Sequence, residues 1–391
     1  MNNKFIVTNF AYGTGPYIHT AALAVAFNDR LEKSGQERLG IVVPWVYGDK
    51  QKQVMLEEFS DHEKKYPGEI LLDVGLGKIL EKVFYDGRSS FGRYLQQWVE
   101  DFDGVCLEAK KYLSGKLDCE TLSGKKFLID GRDIILEINR SPRLLYGVAP
   151  SYSSNFALVS EIMERSLEIK DFAIHPDTLK SASEVFKKIE AGQKIHAIAY
   201  PGTFSGEKNR KEKYANEIET PPIMKIQNLK IKNQKLMNGI FVTASGIPGL
   251  EKLYAQAAEL GVKIYTNNSD AVLGGEKALP EIIFNPEIKL HFARSGWGSV
   301  WLSMFAECPL IMPEFDPNDD PEIYFNNQVI EKLGIGAIYR GQTLEELMAL
   351  TSKVKAAQKR LKEEITRRWG TLDGNAYAAE IFADNFLLLC E

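Results

Sequence analysis

Short apolar runs alternate with amphipathic segments from the start of the chain. The run 4–10 (KFIVTNF) is rich in β-branched and aromatic residues and predicts a strand. The next segment has Leu23, Phe27 and Leu31 at intervals of four and closes with a glycine, which predicts an amphipathic helix. A second apolar run, 38–46, predicts a buried strand. Strand, helix and strand in this order predict a βαβ unit, and hence a parallel sheet with helices on its faces.

The second half of the chain repeats this alternation. Strands are predicted at 239–246 and 262–266, with a glycine-closed helix at 250–261 between them. The stretch 291–316, HFARSGWGSVWLSMFAECPLIMPEFD, predicts two more strands around a short helix. Two such series predict an α/β protein with two Rossmann-like domains facing each other across a cleft.

The domain limits are predicted from a change of character in the middle of the chain. The charged, partly helical segment 175–194 separates the two series of strands. We therefore expect one Rossmann-like domain at 1–180 and a second at 181–370. The last segment, 371–391, is predicted to be a helix that could pack back on the first domain.

Composition narrows the class of protein. A chain of 391 residues favours two domains, and 44% hydrophobic and 26% charged residues are typical of a soluble globular protein. The net charge of −5 argues against a nucleic-acid-binding protein. No apolar run is long enough to span a bilayer, and the polar N-terminus does not resemble a secretory signal. The four cysteines are widely spaced, form no metal-ligand pattern and are expected to be reduced thiols in a cytoplasmic protein.

A locally basic segment, 207–235, lies between the two halves. Such a segment would suit peripheral contact with an anionic membrane surface or with an acidic acceptor. It equally fits a solvated loop, and both interpretations stay open.

The first candidate site follows the first strand. Gly13, Thr14 and Gly15 predict a tight turn, and His19 lies near the start of the next helix. A histidine there has a pKa suited to removing a proton from a hydroxyl, and the helix dipole favours its neutral form. The alternative is that His19 only packs or caps the helix.

The glycine spacing of this turn also suggests a dinucleotide-binding fingerprint. Ile18 occupies the position at which that fingerprint requires glycine or alanine. Val43, Pro44 and Trp45 stand where an acidic residue should end the second strand. A nicotinamide cofactor is therefore not expected.

The second candidate site is the turn within 291–316. Arg294 could bind a phosphate through two hydrogen bonds, and amides at the start of the next helix attract anions. The alternative is a structural glycine turn with an exposed arginine. Asp316 follows the next strand and could accept hydrogen bonds from sugar hydroxyls. The expected nucleotide- and phosphate-binding positions are Arg294, Ser295, Gly296, Gly298, Ser299, Ser245 and Gly246.

This stretch, continued to FNNQVIEKLGIG, resembles the donor-nucleotide motif of GT-B glycosyltransferases, in the UDP-glycosyltransferase and MurG-like branch. The N-terminal GTGPYIHTAALAVAFNDRL resembles the first loop and helix of the same families. The resemblance covers both ends of the domain pair and is weak between them. The matching positions are Gly296, Ser299, Pro309, Pro313, Asp316, Asn326 or Asn327, Gly334 and Gly336.

The chain departs from the family pattern at several positions. Arg294 replaces the usual phosphate-binding histidine, and Leu302 replaces the glutamate that binds the ribose hydroxyls. Pro317 follows Asp316, where the family has glutamine. The family's N-terminal histidine aligns with Tyr17 or, after a small shift, with His19, and only His19 can act as a base.

The resemblance implies an inverting, metal-independent transfer of a sugar from a nucleoside diphosphate sugar to an acceptor hydroxyl. The nucleotide sugar is then a co-substrate, and no other cofactor is expected. The acceptor, a small molecule, glycan or lipid, would bind the N-terminal domain, with His19 as the base. Asp86, Asp101 and Asp103 are the candidates to orient that histidine.

Two alternatives to a transferase stay open. A sugar-nucleotide epimerase can share this architecture, although it would need further acid and base groups, and the chain has five histidines. A non-catalytic nucleotide-sugar-binding protein is favoured by Leu302.

Overall fold

The computed structural model describes residues 4–170, 172–207, 214–224, 236–243, 250–269, 272 and 274–390. The chain divides into two compact units. The first comprises Met1–Tyr200, Lys211–Lys225 and Asp373–Glu391, and the second comprises Pro201–Arg210 and Ile226–Leu372.

The described residues of the first unit form a nine-stranded sheet in the order β5-β4-β3-β2-β1-β6-β7-β8-β9. Only β4 runs against the other strands: it pairs antiparallel with β3 and with the edge strand β5. The strands are β1 Phe5–Phe10, β2 Gly40–Pro44, β3 Ile70–Asp73, β4 Lys116–Thr121, β5 Lys126–Asp130, β6 Ile134–Arg140, β7 Ser151–Asn155, β8 Ile195–Ala199 and β9 Glu217–Thr220.

Helices connect these strands, as parallel pairing requires. The longest, α5, begins after Ser90, whose side chain accepts a hydrogen bond from the amide of Arg93 and caps the helix. The helices are α1 Thr14–Lys33, α2 Gly48–Glu58, α3 Ser60–Lys65, α4 Val74–Glu81, α5 Phe91–Leu113, α6 Val159–Ser166 and α7 Pro176–Ala191.

The described residues of the second unit form a six-stranded, all-parallel sheet in the order β12-β11-β10-β13-β14-β15. The strands are β10 Gly239–Val242, β11 Lys263–Thr266, β12 Glu276–Lys277, β13 Ile288–Phe292, β14 Leu310–Met312 and β15 Gly336–Ile338. The helices are α8 Glu251–Glu259, α9 Trp297–Ala306, α10 Pro321–Leu333, α11 Leu344–Ala349 and α12 Thr351–Trp369. Together the two sheets confirm the predicted α/β class with two Rossmann-like domains.

Each sheet has a point at which the strand order reverses. The first sheet grows from β1 through β2 to β3 on one side, and from β6 onward on the other. The second grows from β10 through β11 to β12 on one side, and from β13 onward on the other. Open α/β sheets bind ligands at the carboxyl ends of the strands that flank such a point. The pairs β1–β6 and β10–β13 therefore mark where each unit is expected to bind.

The last helix, α13 (Gly374–Cys390), belongs to the first unit and packs on α1. Phe386 meets Phe27 with ring centroids 5.7 Å apart. The hydroxyl of Tyr152 on β7 donates to Asn385 Oδ1 at 2.9 Å. The last helix of the first unit therefore comes after the whole of the second unit in the sequence.

The first unit extends beyond the limit expected at residue 180. Helix α7 spans that position, and β8 pairs with β7 in the first sheet. The chain leaves the unit only after Tyr200. The charge of 175–194 marked the solvent-facing side of a helix rather than a linker.

No helix in the described parts of the chain is long and apolar enough to cross a membrane. The basic segment 207–235, considered as a membrane contact, lies largely outside the described residues, which include only 207 and 214–224 of it.

Candidate functional site

The first glycine turn, Tyr12–Gly15, lies at the carboxyl end of β1. Gly13 precedes α1 with φ 104° and ψ 165°, a conformation almost restricted to glycine. Its N–H donates to the hydroxyl of Tyr47 at 2.7 Å. Thr14 and Gly15 already belong to α1, so of the three residues predicted to form the turn only Gly13 lies before the helix.

His19 lies one turn into α1 and is half-buried. A Cβ atom built on Gly15 would lie 3.7 Å from His19 Cδ2 and 3.8 Å from its Nε2. The imidazole therefore folds back over the first turn of the helix, as helical side chains generally do. Gly15 leaves the Nε2 edge of this ring uncovered.

Burial, and then the positive charge of Arg140, lower the pKa of His19 to about 3. Arg140 ends β6 and pairs in register with Phe10 of β1, so it reaches the same sheet edge as the first glycine turn. Its guanidinium is buried and donates to the carbonyl of Ile223 at 2.6 Å. The sequence analysis did not single out this arginine. At neutral pH His19 is therefore an uncharged imidazole beside a cation.

None of the three expected acidic partners meets His19. Asp86 accepts from the amide of Arg88, Asp101 accepts from the amide side chain of Gln97, and Asp103 pairs with a lysine. Within the described residues, His19 has no hydrogen-bond or ion-pair partner. The expectation of an orienting carboxylate at these three positions is therefore wrong for this structure.

An aromatic cluster adjoins the first glycine turn. The ring of Tyr12 lies 5.7 Å from that of Tyr85 and 5.9 Å from that of Tyr94, centroid to centroid. Tyr47, which holds the turn, lies 6.2 Å from Phe84. These five side chains are half-buried or exposed, and they come from three separate segments. Their distance apart in the sequence is why no local pattern revealed them.

The second glycine turn, Arg294–Trp297, lies at the carboxyl end of β13. The Arg294 Nη2 donates to a carboxylate oxygen of Asp319 in an ion pair. The Arg294 side chain remains 35% exposed. In the described part of the chain, no other protein acceptor meets its guanidinium, so most of its N–H donors remain available.

The start of α9 follows this turn directly. Gly296 is the residue before the helix, with φ −61° and ψ 135°, and no side chain caps the helix. A Cβ on Gly296 would meet nothing within 4 Å, so the turn is open on that side. Gly298 and Ser299 lie in the first turn of the helix, and Ser295 is fully buried. The arrangement presents backbone amides and one guanidinium at the same strand end, which favours an anion.

The other residues predicted for the donor site are more widely spread. Asp316 is exposed, and its Oδ1 accepts from both the amide and the side chain of Asn318, at 2.9 and 3.1 Å. Leu302 packs with an apolar cluster that includes Phe241. Ser245 and Gly246 lie outside the described residues. Asp319, which the sequence did not single out, is the carboxylate that meets Arg294.

A buried histidine supports the same strand pair. His291 on β13 contacts Ser303 Oγ through Nδ1 at 2.6 Å and Thr243 Oγ1 through Nε2 at 2.9 Å. Burial lowers its pKa to about 3. His291 thus ties α9 to the end of β10 as a neutral residue.

Among the described residues, no cluster of three or more His, Cys, Asp or Glu side chains is arranged to hold a metal ion.

Solved structures of glycosyltransferases share this fold along the whole chain. A UDP-glucosyltransferase from Polygonum tinctorium, capable of glucosylating indoxyl and in complex with 3,4-dichloroaniline, matches with a TM-score of 0.59 and 13% identity over 98% of both chains. UGT71G1 from Medicago truncatula, complexed with UDP-glucose, matches with a TM-score of 0.57 and 12% identity over 98% of both chains. The glycosyltransferase SnogD from Streptomyces nogalater gives 0.54 and 13%, over 98% of this chain and 99% of that one.

No protein-family model and no curated protein sequence matches the chain. The structural likeness establishes the fold, and this chain has the GT-B glycosyltransferase fold that its sequence motifs led us to expect.

Proposed function

We propose that the protein transfers a sugar from a UDP-sugar to a small acceptor, with inversion at the anomeric carbon and without a metal ion. One observation carries this proposal. In each sheet, the residues proposed to act lie at the strand-order reversal: His19 and Arg140 in the first unit, and Arg294 in the second. Ligands of open α/β sheets bind at these points.

The donor diphosphate would bind at the second glycine turn. Arg294 supplies a fixed positive charge, and the start of α9 supplies oriented amides. As the bond to the sugar breaks, negative charge accumulates on the leaving diphosphate, and these groups stabilise it. UDP is the nucleotide proposed because UDP-glucose is bound in the matching Medicago truncatula structure. The Asp319 carboxylate would hold the guanidinium in place before the donor arrives.

The acceptor would bind at the first glycine turn, where His19 accepts its proton. A neutral imidazole is the form that can do so, and the pKa of about 3 keeps His19 neutral throughout the physiological range. That low pKa also makes the imidazole a weak base. The charge of Arg140 offsets this weakness because it also stabilises the negative charge that develops on the acceptor oxygen.

The aromatic cluster supports a small aromatic acceptor. Tyr12, Tyr47, Phe84, Tyr85 and Tyr94 offer apolar ring surface beside the base, and aromatic rings stack favourably on one another. The Polygonum tinctorium enzyme with the same fold is capable of glucosylating indoxyl.

A non-catalytic UDP-sugar-binding protein is the second candidate. Leu302, at the family's ribose-binding position, packs with apolar residues and offers no hydrogen bond to a ribose. The loss of this hydrogen bond would weaken nucleotide binding. A protein that binds a UDP-sugar without transferring the sugar would tolerate that loss.

Calorimetric titration with UDP tests the donor site. We expect Arg294→Ala to weaken UDP binding by roughly 10- to 100-fold, because it removes a charge-assisted hydrogen bond. Arg340→Ala is the matched control, because Arg340 is an arginine of the same unit paired with Glu331. A wild-type protein that binds no UDP would contradict the proposed function.

Release of UDP from UDP-glucose in the presence of simple phenols then separates the two candidates. Acceptor-dependent release supports a transferase. Tight UDP binding without release from any phenol or aromatic amine supports the binding protein.

A further inference from the structure

Asn326 lies on α10 at the centre of a buried hydrogen-bond network behind the second glycine turn, and its side chain is fully buried. Its Oδ1 accepts from Trp297 Nε1 and from Thr203 Oγ1, each at 2.9 Å. Its Nδ2 donates to the carbonyl of Ser295 at 2.9 Å and to Glu322 Oε1 at 3.0 Å. The amide therefore uses both of its donors and both of its acceptor positions.

The bond to Ser295 fixes a peptide plane. The carbonyl of Ser295 and the N–H of Gly296 belong to the same planar trans unit and point in opposite directions. Because Asn326 holds the carbonyl on the buried side, the Gly296 N–H points away from the network. The N–H therefore stays available to an anion that binds at this turn, where the space beside Gly296 is open.

This peptide would otherwise be free to turn over. A flip of the plane changes ψ of residue 295 and φ of residue 296, and φ of Gly296 would move from −61° toward positive values. Glycine tolerates positive φ at little cost, so residue 296 does not resist the flip. After the flip, a carbonyl oxygen would face the anion in place of the N–H donor. Because Gly296 itself does not resist the flip, another residue has to hold the 295–296 peptide plane in place.

We propose that Asn326 is a positioning residue for the donor diphosphate, which it serves by holding the Ser295 carbonyl and so presenting the Gly296 N–H to a phosphate oxygen. The bond from Trp297 to the same side chain holds the other end of the turn. The inference rests on the proposed donor site and goes beyond it, because Asn326 itself touches no ligand.

The test compares Asn326→Ala with Gln358→Ala. Gln358 on α12 is also a fully buried amide of the second unit, but its Nε2 donates to the carbonyls of Cys308 at 3.2 Å and Ile335 at 3.0 Å, away from the turn. We expect Asn326→Ala to weaken UDP binding by roughly 10- to 100-fold, and Gln358→Ala to leave it nearly unchanged. Equal losses in the two variants, or no loss in either, would overturn the inference.

A spectroscopic measurement separates positioning from general stability. In protein labelled with 15N-glycine, the Gly296 amide resonance is identified by its disappearance in Gly296→Ala. We expect UDP to displace this resonance in the wild type and in Gln358→Ala, and not in Asn326→Ala. If UDP binds to the wild type without moving the Gly296 resonance, the inference is overturned. The proposed function would still stand in that case, because UDP binds.

Asn326→Asp provides a second variant in case the alanine variant does not fold. It retains the oxygen that accepts from Trp297 and Thr203 and replaces the donor to Ser295 with a carboxylate oxygen. UDP affinity should therefore fall as far as in Asn326→Ala. An Asn326→Asp protein with wild-type UDP affinity would show that the donated bond is irrelevant.

Discussion

The two glycine turns look alike in the sequence and differ in what their glycines do. At the first turn, Gly13 adopts φ 104°, so its backbone conformation itself requires glycine. At the second, Gly296 adopts φ −61°, which any residue can adopt, and the space beside it is empty. The first glycine is needed for its conformation and the second for the room it leaves. Substitution of a glycine is therefore expected to have different consequences at the two turns.

The charged groups at the two turns differ in the same way. In the first unit, a neutral imidazole lies near a buried arginine that further lowers its pKa. In the second, an arginine is held by a carboxylate and remains partly exposed. The first arrangement suits the transfer of a proton, and the second suits the binding of an anion. Substitutions can test whether this division of labour is real.

The largest effect is expected from His19→Ala. Loss of the proton acceptor should lower the rate of sugar transfer by roughly 10²- to 10⁴-fold, while UDP affinity stays close to that of the wild type. Transfer assays and UDP titration of the same preparation measure both quantities. Tyr17→Phe is the control, because Tyr17 is the other residue that the family histidine could align with. A His19→Ala protein with full transfer activity would contradict the proposed mechanism.

The paired variants Gly13→Ala and Gly296→Ala should show opposite profiles. Gly13→Ala should lower the free energy of unfolding by about 1–3 kcal/mol, because alanine is strained at that φ. Gly296→Ala should change it by less than about 0.5 kcal/mol, yet weaken UDP binding roughly tenfold, because its methyl group enters the open space. Denaturant unfolding and UDP titration check the pair. Equal destabilisation by both substitutions would show that the two turns do not differ in this way.

The smallest effect concerns acid stability and the buried His291. His291 has its pKa lowered from 6.5 to about 3, so below pH 6.5 the unfolded chain binds a proton that the folded chain does not. This contribution to stability is complete at pH 7 and is lost as the pH falls from 6.5 toward 3. His291→Gln should therefore lose less unfolding free energy than the wild type between pH 7 and pH 5, by about 1–2 kcal/mol.

Denaturant unfolding at both pH values measures this difference. A His291→Gln protein as acid-sensitive as the wild type would show that His291 does not carry this proton linkage.

The sequence predicted the elements whose pattern is local. The period of apolar residues located β1, α1 and β2, and the resemblance located the turn that carries Arg294. The pattern of apolar residues did not predict β7, because its sequence SYSSN resembles that of a loop. That strand is fully buried because its hydroxyls find partners, such as Ser153 Oγ with His196 Nδ1 at 3.1 Å. Polar satisfaction of this kind depends on residues far along the chain.

The residues of the candidate sites were likewise predictable only where their pattern in the sequence is local. His19 and Arg294 could be singled out because each lies within a few residues of a strand end and of a glycine. Arg140 and Asp319 were missed because each acts on a residue brought near by the sheet or by a loop. The resemblance pointed to Asn326 or Asn327 without choosing between them, because the proposed role of Asn326 depends on four hydrogen bonds that only the folded chain brings together.

The place of α13 has a consequence for the protein during its synthesis. This helix supplies the partners of Phe27 and Tyr152, and it leaves the ribosome after every residue of the second unit. Synthesis at roughly 5–20 residues per second gives the second unit time to fold while the apolar face of α1 is still uncovered. The unit that is translated first is therefore finished last, and until then α1 lacks the helix that packs on it.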